Sequence, residues 1–237
     1  MILKNTTKIK SKYFDFNHLL RSNAFNSSEY KGWNGLSVIK FDIKKDQEVN
    51  ETFVDSQYQD FYEKEKIFVV TSGLLEFRNQ GEQRNLEKYD AIDLLTGTEK
   101  YKMIGLQDST IFMISSKHLD TYKGQPIFFN FKKNIEVRDL WGGQCISRPY
   151  EGKGLTLVLF DLKPGFKFED KGHSNEQITW VITGSMDFHA DGEKKIIKPG
   201  IGVDIGPNHV HGGISSGAMG FDAFFPKRQE IKYKKES

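Results

Sequence analysis

The chain has almost none of the residue that forms disulfides. Cys145 is the only cysteine among 237 residues, which excludes an internal disulfide framework, as expected for a reducing cytosol. No partner base is evident near Cys145 in the sequence. We therefore interpret Cys145 as a buried, inert thiol rather than a nucleophile.

Long apolar runs and an excess of one charge are also absent. No segment has the apolar length of a membrane span, and the N-terminal "MILKNTTKIKSKYF" lacks the apolar core of a signal peptide. The 34 basic and 32 acidic residues give a net charge of +2, so electrostatics gives no case for nucleic acid or a membrane surface as a partner. We expect a cytoplasmic protein that binds neither.

The sequence contains an internal repeat. "GLSVIKFDIKKDQEV" from Gly35 aligns with "GLTLVLFDLKPGFKF" from Gly154, an offset of 119 (35 to 154). Further on, Gly73 aligns with Gly184, an offset of 111 (73 to 184). The smaller second offset indicates a loop insertion in the first copy, between these two matches.

Both copies have the composition of strands. Runs rich in Val, Ile, Phe and Thr are cut at short intervals by Gly, Pro, Asp and Asn. Residues 15–22 and 115–123 are short helical candidates. The pattern predicts an all-β fold made of two compact antiparallel barrels or jelly rolls, at 1–125 and 126–237. The segment 128–150 is expected to link the copies and to supply the opening strands of the second.

Two motifs in the second copy carry a family resemblance. The first joins a Pro-Gly pair to a histidine, an amide and a glycine, at Pro164, Gly165, His173, Gln177 and Gly184. The second runs from Pro199-Gly200 through Gly206-Pro207 to His211. Together they resemble the paired motifs of the cupin superfamily. Because the repeat covers both halves, the whole chain resembles a bicupin, with two tandem cupin (jelly-roll) barrels.

The resemblance implies one divalent metal, Mn, Fe, Ni or Zn, held by His173, Gln177 and His211. Cupins usually offer a further histidine where this chain has Lys171, whose ammonium has no lone pair to donate. Three ligands with open positions still suit a catalytic metal. Lys171 could instead contact an anionic substrate, and His209 could replace a ligand or contact substrate from the rim. The alternative is that the histidines only hydrogen-bond inside a barrel.

The first copy lacks this ligand set. At the offset of 111, the three ligand positions fall on Tyr62, Lys66 and Lys100. We therefore predict that the N-terminal barrel is degenerate and holds no metal. Its expected role is packing, dimerisation or shaping of the pocket.

Three residues after the second motif predict proton-transfer chemistry. Asp222 and Phe224 are two residues apart on one strand, so their side chains point to the same face. Arg228 follows at the end of this strand. A carboxylate near a metal can exchange a proton, and a guanidinium can hold a carboxylate bidentately. A salt bridge at a barrel rim is the alternative. The segment is similar to pectin-degradation cupins that open unsaturated uronates, which implies catalytic roles for all three. The two-domain length, "NEQI" from Asn175 and "FFPKR" from Phe224 also resemble the bacilysin-biosynthesis bicupin isomerase.

The sequence therefore predicts a metal-dependent isomerase or lyase, acting by proton transfer on a small sugar acid or a related carboxylate. The competing hypothesis is a non-catalytic bicupin that binds sugars or acids. Exposed barrel edges favour a homodimer in either case.

Overall fold

Strands dominate the structure, a computed structural model that describes residues 10–19, 21–22, 27–33, 35–52, 54, 65–95, 100–117 and 124–228. Within those ranges, only Glu51, Thr52 and Val54 are helical, so the all-β class is confirmed. The helical candidate at 15–22 is wrong where it is described, because a turn there separates two strands. The second candidate begins as strand, and its residues 118–123 lie outside the described residues. None of the described helical residues forms a helix long and apolar enough to cross a membrane.

The described residues of the first half form eleven strands. They are β1 (Lys12–Asp15), β2 (Arg21–Ser22), β3 (Ser27–Lys31), β4 (Leu36–Ile43), β5 (Glu48–Asn50), β6 (Lys66–Ser72), β7 (Leu75–Asn79), β8 (Glu82–Leu86), β9 (Asp90–Leu94), β10 (Tyr101–Gly105) and β11 (Ser109–Ser116).

As far as it is described, the second half has eight strands, three of them 15 residues long. They are β12 (Ile127–Asn130), β13 (Arg138–Leu140), β14 (Cys145–Glu151), β15 (Thr156–Asp170), β16 (Glu176–Ala190), β17 (Glu193–Ile197), β18 (Ile201–Ile205) and β19 (His211–Phe225).

The two main sheets have the same strand order. One runs β12-β9-β6-β11-β4-β3-β2, and the other runs β1-β18-β16-β19-β15-β14-β13, with β17 added to β16. Equivalent strands are the ones that the internal repeat aligns. Neither hydrogen-bonded order closes on itself within the described residues, so the arrangement as two barrels stays a prediction.

The halves differ in the continuity of their long strands. In the first half a separate four-stranded sheet, β5-β10-β7-β8, lies beyond the main one. In the second half β15, β16 and β19 run through both regions, bending where their register shifts. One bend depends on Gly184, whose φ is 74°. A Cβ there would lie 1.6 Å from the Gly217 carbonyl oxygen, so only glycine fits.

Each half completes the sheet of the other. β1 pairs antiparallel with β18, from Lys12 opposite Asp204 to Asp15 opposite Ile201. β12 pairs in the same way with β9 of the first half. The predicted linker 128–150 therefore serves both sheets, since β13 and β14 join the second. Strand pairing crosses the boundary between 1–125 and 126–237, and that division remains a proposal.

The two halves also share a hydrophobic core. One cluster of buried residues draws on both sheets. Within it, the rings of Phe112 and Trp180 lie 5.4 Å apart, and those of Phe131 and Phe221 lie 5.2 Å apart. Burying one such side chain stabilises a fold by roughly 1.5–3 kcal/mol. The halves are therefore held together by apolar burial as well as by strand exchange.

A matched pair of buried acidic networks crosses between the halves. In one, the Tyr30 hydroxyl donates to Asp204 at 3.1 Å, and the backbone N–H of Leu36 donates to Glu176 at 3.3 Å. Burial and the charge of Glu176 raise the pKa of Asp204 to about 8.

The other network repeats this arrangement with the halves exchanged. The Tyr150 hydroxyl donates to Asp93 at 2.7 Å, and the backbone N–H of Gly154 donates to Glu65 at 2.8 Å. Burial and the charge of Glu65 raise the pKa of Asp93. The two glutamates are 111 positions apart (65 to 176), and so are the two aspartates (93 to 204).

Candidate functional site

The site residues lie where three long strands of the second half meet. Asp170 ends β15 and pairs with His211, which begins β19. The connection from β15 to β16 carries His173, and Gln177 follows near the start of β16. Towards its far end β19 brings Asp222 opposite Thr179. Antiparallel pairing thus brings together side chains from separate sequence segments, at both ends of β19.

Three of these residues form a metal-ligand cluster. Asp170, His173 and His211 each offer a donor atom, and these atoms lie within 4.8 Å of one another. Sequence reasoning selected both histidines but missed Asp170. The carboxylate comes from the residue just before Lys171, and the register of β15 against β19 brings it to His211. Two imidazoles and a carboxylate with open positions form a donor set typical of first-row metals.

The two imidazoles are in the form that binds a metal. The Nδ1 of His211 lies 2.9 Å from the backbone oxygen of His209, so Nδ1 carries the proton and Nε2 keeps its lone pair. The Nε2 of His173 lies 2.9 Å from Oε1 of Gln177, which can only accept. The lone pair of His173 is therefore on Nδ1, a buried atom without a hydrogen-bond partner among the described residues. That orphaned atom fits a metal ligand.

Local electrostatics keep the donors in their ligating charge states. Burial and then the Arg228 charge lower the pKa of His173 to about 4, and burial lowers the pKa of His211. Burial alone would raise the pKa of Asp170, but the backbone N–H of Gly172 and the neighbouring cationic groups bring it below its usual value. Two neutral imidazoles and one carboxylate result at neutral pH.

Gln177 links the cluster to a buried carboxylate. Its Nε2 donates to the Thr179 hydroxyl at 2.8 Å and to Oδ1 of Asp222 at 3.1 Å. The Thr179 hydroxyl also donates to the same Oδ1, at 2.6 Å. Burial raises the pKa of Asp222 to about 6, against the opposing effect of these two hydrogen bonds. The geometry therefore joins Gln177 to His173 and Asp222, and its predicted role as a metal ligand stays a prediction.

Arg228 and Phe224 lie against the same cluster. The Arg228 Nη2 is 3.4 Å from Oδ2 of Asp170, and its guanidinium carbon is 5.1 Å from the centre of the Phe224 ring. The Phe224 ring in turn meets the His173 ring edge-on, 5.5 Å between centroids. The structure thus brings these two predicted catalytic residues to the cluster.

The two predicted substrate contacts lie differently. Lys171 is exposed. The His209 ring is 2.6 Å from Oδ1 of Asp191, so its side chain is engaged there while its backbone orients His211. Their roles toward a substrate stay predictions.

In the first half, the positions equivalent to the ligands carry no imidazole. Tyr62 lies outside the described residues, Lys66 is buried and Lys100 is exposed. Glu51 is 119 positions before Asp170 (51 to 170), and its Oε2 accepts from the backbone N–H of Tyr101 at 3.2 Å. The absence of a metal site from this half stays a prediction.

A partly open cavity of about 70 Å³ lies beside the cluster. Its polar wall is formed by Gln177, Thr179, Asp222 and Ser147, while aromatic and aliphatic side chains form most of the rest. Cys145 also faces it, and burial raises the pKa of this thiol to about 12. The thiol is therefore protonated, which agrees with an inert cysteine.

Solved structures with the same fold include proteins of known cupin type. The protein Ylba from E. coli is 13% identical, over 94% of this chain and 93% of its own, with a TM-score of 0.73. The cupin 2 conserved barrel domain protein from Leptotrichia buccalis is 16% identical, over 93% of this chain and 99% of its own, with a TM-score of 0.62.

A third similar structure belongs to a metalloenzyme. Oxalate decarboxylase from Bacillus subtilis, a protein with Mn(II) centres, is 8% identical over 94% of this chain and 78% of its own, with a TM-score of 0.67. The sequence matches no protein-family model, and it matches no curated protein. At these identities the likeness shows the cupin fold, and the chemistry has to be argued from the site itself.

Proposed function

We propose that the second half binds one divalent metal at Asp170, His173 and His211, and that it catalyses isomerase- or lyase-type proton transfer on a small carboxylate. The observation that carries this proposal is the convergence of three donor atoms within 4.8 Å of one another. Mn, Fe, Ni and Zn all suit such donors. Such an ion would stabilise negative charge that develops on a substrate oxygen. Sugar acids such as unsaturated uronates are one candidate class.

Asp222 is the proposed proton-transfer group. Both of its side-chain hydrogen bonds reach Oδ1, which leaves Oδ2 to accept a proton. In the proposed step Oδ2 takes a proton from the carbon next to a substrate carbonyl, and the C–H electron pair moves towards the carbonyl oxygen. Return of the proton to another carbon completes an isomerisation. Arg228 would hold the substrate carboxylate, and Phe224 would line the pocket.

The test follows metal and proton transfer separately. Purified protein is loaded with Mn²⁺ or Zn²⁺, and exchange of the carbon-bound protons of 2-oxo acids with D₂O is followed by NMR. Loss of absorbance of unsaturated uronates is measured in parallel. Asp222→Asn should keep its metal but lower exchange by about 100-fold or more. Exchange that survives both this variant and a chelator would contradict the proposal.

The non-catalytic alternative has one observation in its favour. Arg228 already pairs with Asp170, so the proposed substrate clamp is engaged within the site. A protein that bound metal and carboxylates without any exchange would support a role in acid binding. Both versions of the proposal include two tandem barrels, a cytoplasmic location and a homodimer. In both, the first barrel serves packing or dimerisation.

A further inference from the structure

The cavity beside the metal cluster has a composition that bears on the substrate. Six of its wall residues are aromatic or aliphatic side chains of the second half's own core: Val158, Phe160, Leu162, Phe166, Met186 and Phe188. The polar residues Gln177, Thr179 and Asp222 occur on one side and hydrogen-bond to one another. Most of the cavity wall therefore offers no hydrogen bond to a ligand.

This cavity adjoins the proposed site through residues that they share or that contact both. Gln177 lines it and contacts His173. Phe188 lines it as well, and its ring stacks on that of His211 with 6.1 Å between centroids. A ligand whose carboxyl end lies at the metal and Arg228 would therefore direct its other end past Asp222 into the cavity.

We propose that the cavity holds a compact hydrocarbon group of the substrate and excludes hydroxyl-rich chains, an inference that rests on the proposed function. At about 70 Å³ it is about half the size of an engineered cavity of about 150 Å³ that holds benzene. A branched group of about three or four carbons is the size that follows. The substrate class is then a small carboxylate with a short aliphatic chain, in preference to a sugar acid.

Desolvation is the physical reason for this selectivity. Each methylene buried against the wall is worth about fourfold in affinity. Each hydroxyl buried without a partner costs about fivefold or more. Ser147 is the exception in the wall, because its Oγ is buried and has no hydrogen-bond partner among the described residues. One oxygen on the ligand could be satisfied there, but a run of several could not.

The test compares acids of equal carbon number on the metal-loaded protein. Calorimetry measures the affinity of 4-methylpentanoate and of gluconate, with acetate as a reference for the carboxylate alone. We expect 4-methylpentanoate to bind at least about tenfold more tightly than gluconate. Equal or tighter binding of gluconate would overturn the inference, and so would undetectable binding of all three acids.

Two variants locate the effect in the cavity. Ser147→Val fills part of it and should weaken 4-methylpentanoate by about tenfold without changing acetate. Ser115→Val is the matched control, since Ser115 is another fully buried strand serine with an unpartnered Oγ, in the first half. Met186→Ala enlarges the cavity and should shift the preference to longer chains, which keeps the test valid if Ser147→Val does not fold. Alkyl selectivity unchanged in a folded variant would refute the assignment.

The outcome separates this inference from the proposed function. Proton exchange without any preference for alkyl chains would leave the proposed function standing and remove the hydrocarbon subsite. Alkyl-selective binding that persists in a protein without metal or exchange would support the subsite and remove the catalytic proposal.

Discussion

The two halves share a strand order and differ in what they place at the equivalent point. In the second half β15 and β19 are continuous, and their pairing sets Asp170 beside His211. In the first half the corresponding path is interrupted between β4 and β5 and between β10 and β11. Lys100 stands there at the equivalent of His211, and Glu51 at that of Asp170. Among the described residues, one architecture thus supports a ligand cluster in only one of its copies.

This difference shows which parts of the fold are structural and which belong to the site. The Tyr–Asp–Glu networks recur in both halves, as do the exchanged edge strands. Repetition of these features indicates a role in assembling the molecule. The ligand cluster does not recur among the described residues. This indicates a role in chemistry rather than in assembly.

The largest expected effect comes from removing an imidazole of the cluster. His211→Ala should weaken binding of Mn²⁺ or Zn²⁺ by at least about 100-fold. Loss of a ligand lowers metal affinity more than loss of a residue that only hydrogen-bonds to a ligand. Calorimetric titration measures it. Lys100→Ala, the equivalent change in the first half, should leave the affinity unchanged. Unaltered affinity in His211→Ala would mean that the metal is held elsewhere.

A smaller effect is expected at the carboxylate that the sequence motifs did not reveal. Asp170→Asn should weaken metal binding by about 10- to 100-fold, since the amide keeps the shape but loses the charge. Adding Lys171→His to this variant should restore part of the affinity. Glu51→Gln is the matched control and should have no effect. Full affinity in Asp170→Asn would exclude its carboxylate from the ligand set.

The buried networks predict a pH dependence of stability that both halves share. Because the pKa of Asp204 is raised from 3.8 to about 8, the folded state holds a proton that the unfolded state releases. The contribution of this proton to the free energy of unfolding is complete below pH 4 and is lost as the pH rises through 8. The slope is at most about 1.4 kcal/mol per pH unit.

Chemical denaturation between pH 5 and 9 measures this slope. Asp204→Asn, which mimics the protonated acid, should flatten the curve relative to the unmodified protein. Asp93→Asn should act in the same direction. Asp187→Asn changes an exposed carboxylate and should leave the slope as it is. An unchanged slope in Asp204→Asn would show that the proton is held elsewhere.

The smallest expected effect compares the two tyrosines. Tyr30→Phe and Tyr150→Phe each remove one buried hydrogen bond to an aspartate, and each should lower the free energy of unfolding by about 1 kcal/mol. Urea denaturation at pH 6 measures both. If the two losses in free energy of unfolding differ by more than about 1 kcal/mol, the two networks contribute unequally to stability despite their matched geometry.

Local patterns in the sequence predicted much of this molecule. The repeat and the strand-rich composition were enough to expect an all-β fold, and the motifs that resemble those of cupins selected His173 and His211. The helical candidate at 15–22 was wrong in its described residues. β1 ends at Asp15, a turn follows, and Arg21–Ser22 pair with β3, so strand pairing outweighs a weak local helical pattern.

The remaining features depend on long-range pairing, which local sequence does not encode. Asp170 joined the ligands through the register of β15 against β19, and a one-residue slip would have turned it to the other face. The exchanged strands β1 and β12 and the buried position of Glu176 likewise follow from contacts between distant segments.

The exchange of edge strands also delays strand pairing during biosynthesis, because β1 cannot pair until β18 has been synthesised. Lys12 pairs with Asp204, 192 positions later (12 to 204). At a synthesis rate of about 5–20 residues per second, β1 waits roughly 10–40 s for its partner to be translated. During that time the ribosome-bound chain carries an unsatisfied strand and an open sheet edge. Holdase binding to nascent chains, or crowding of neighbouring polysomes, would act on the protein in this interval.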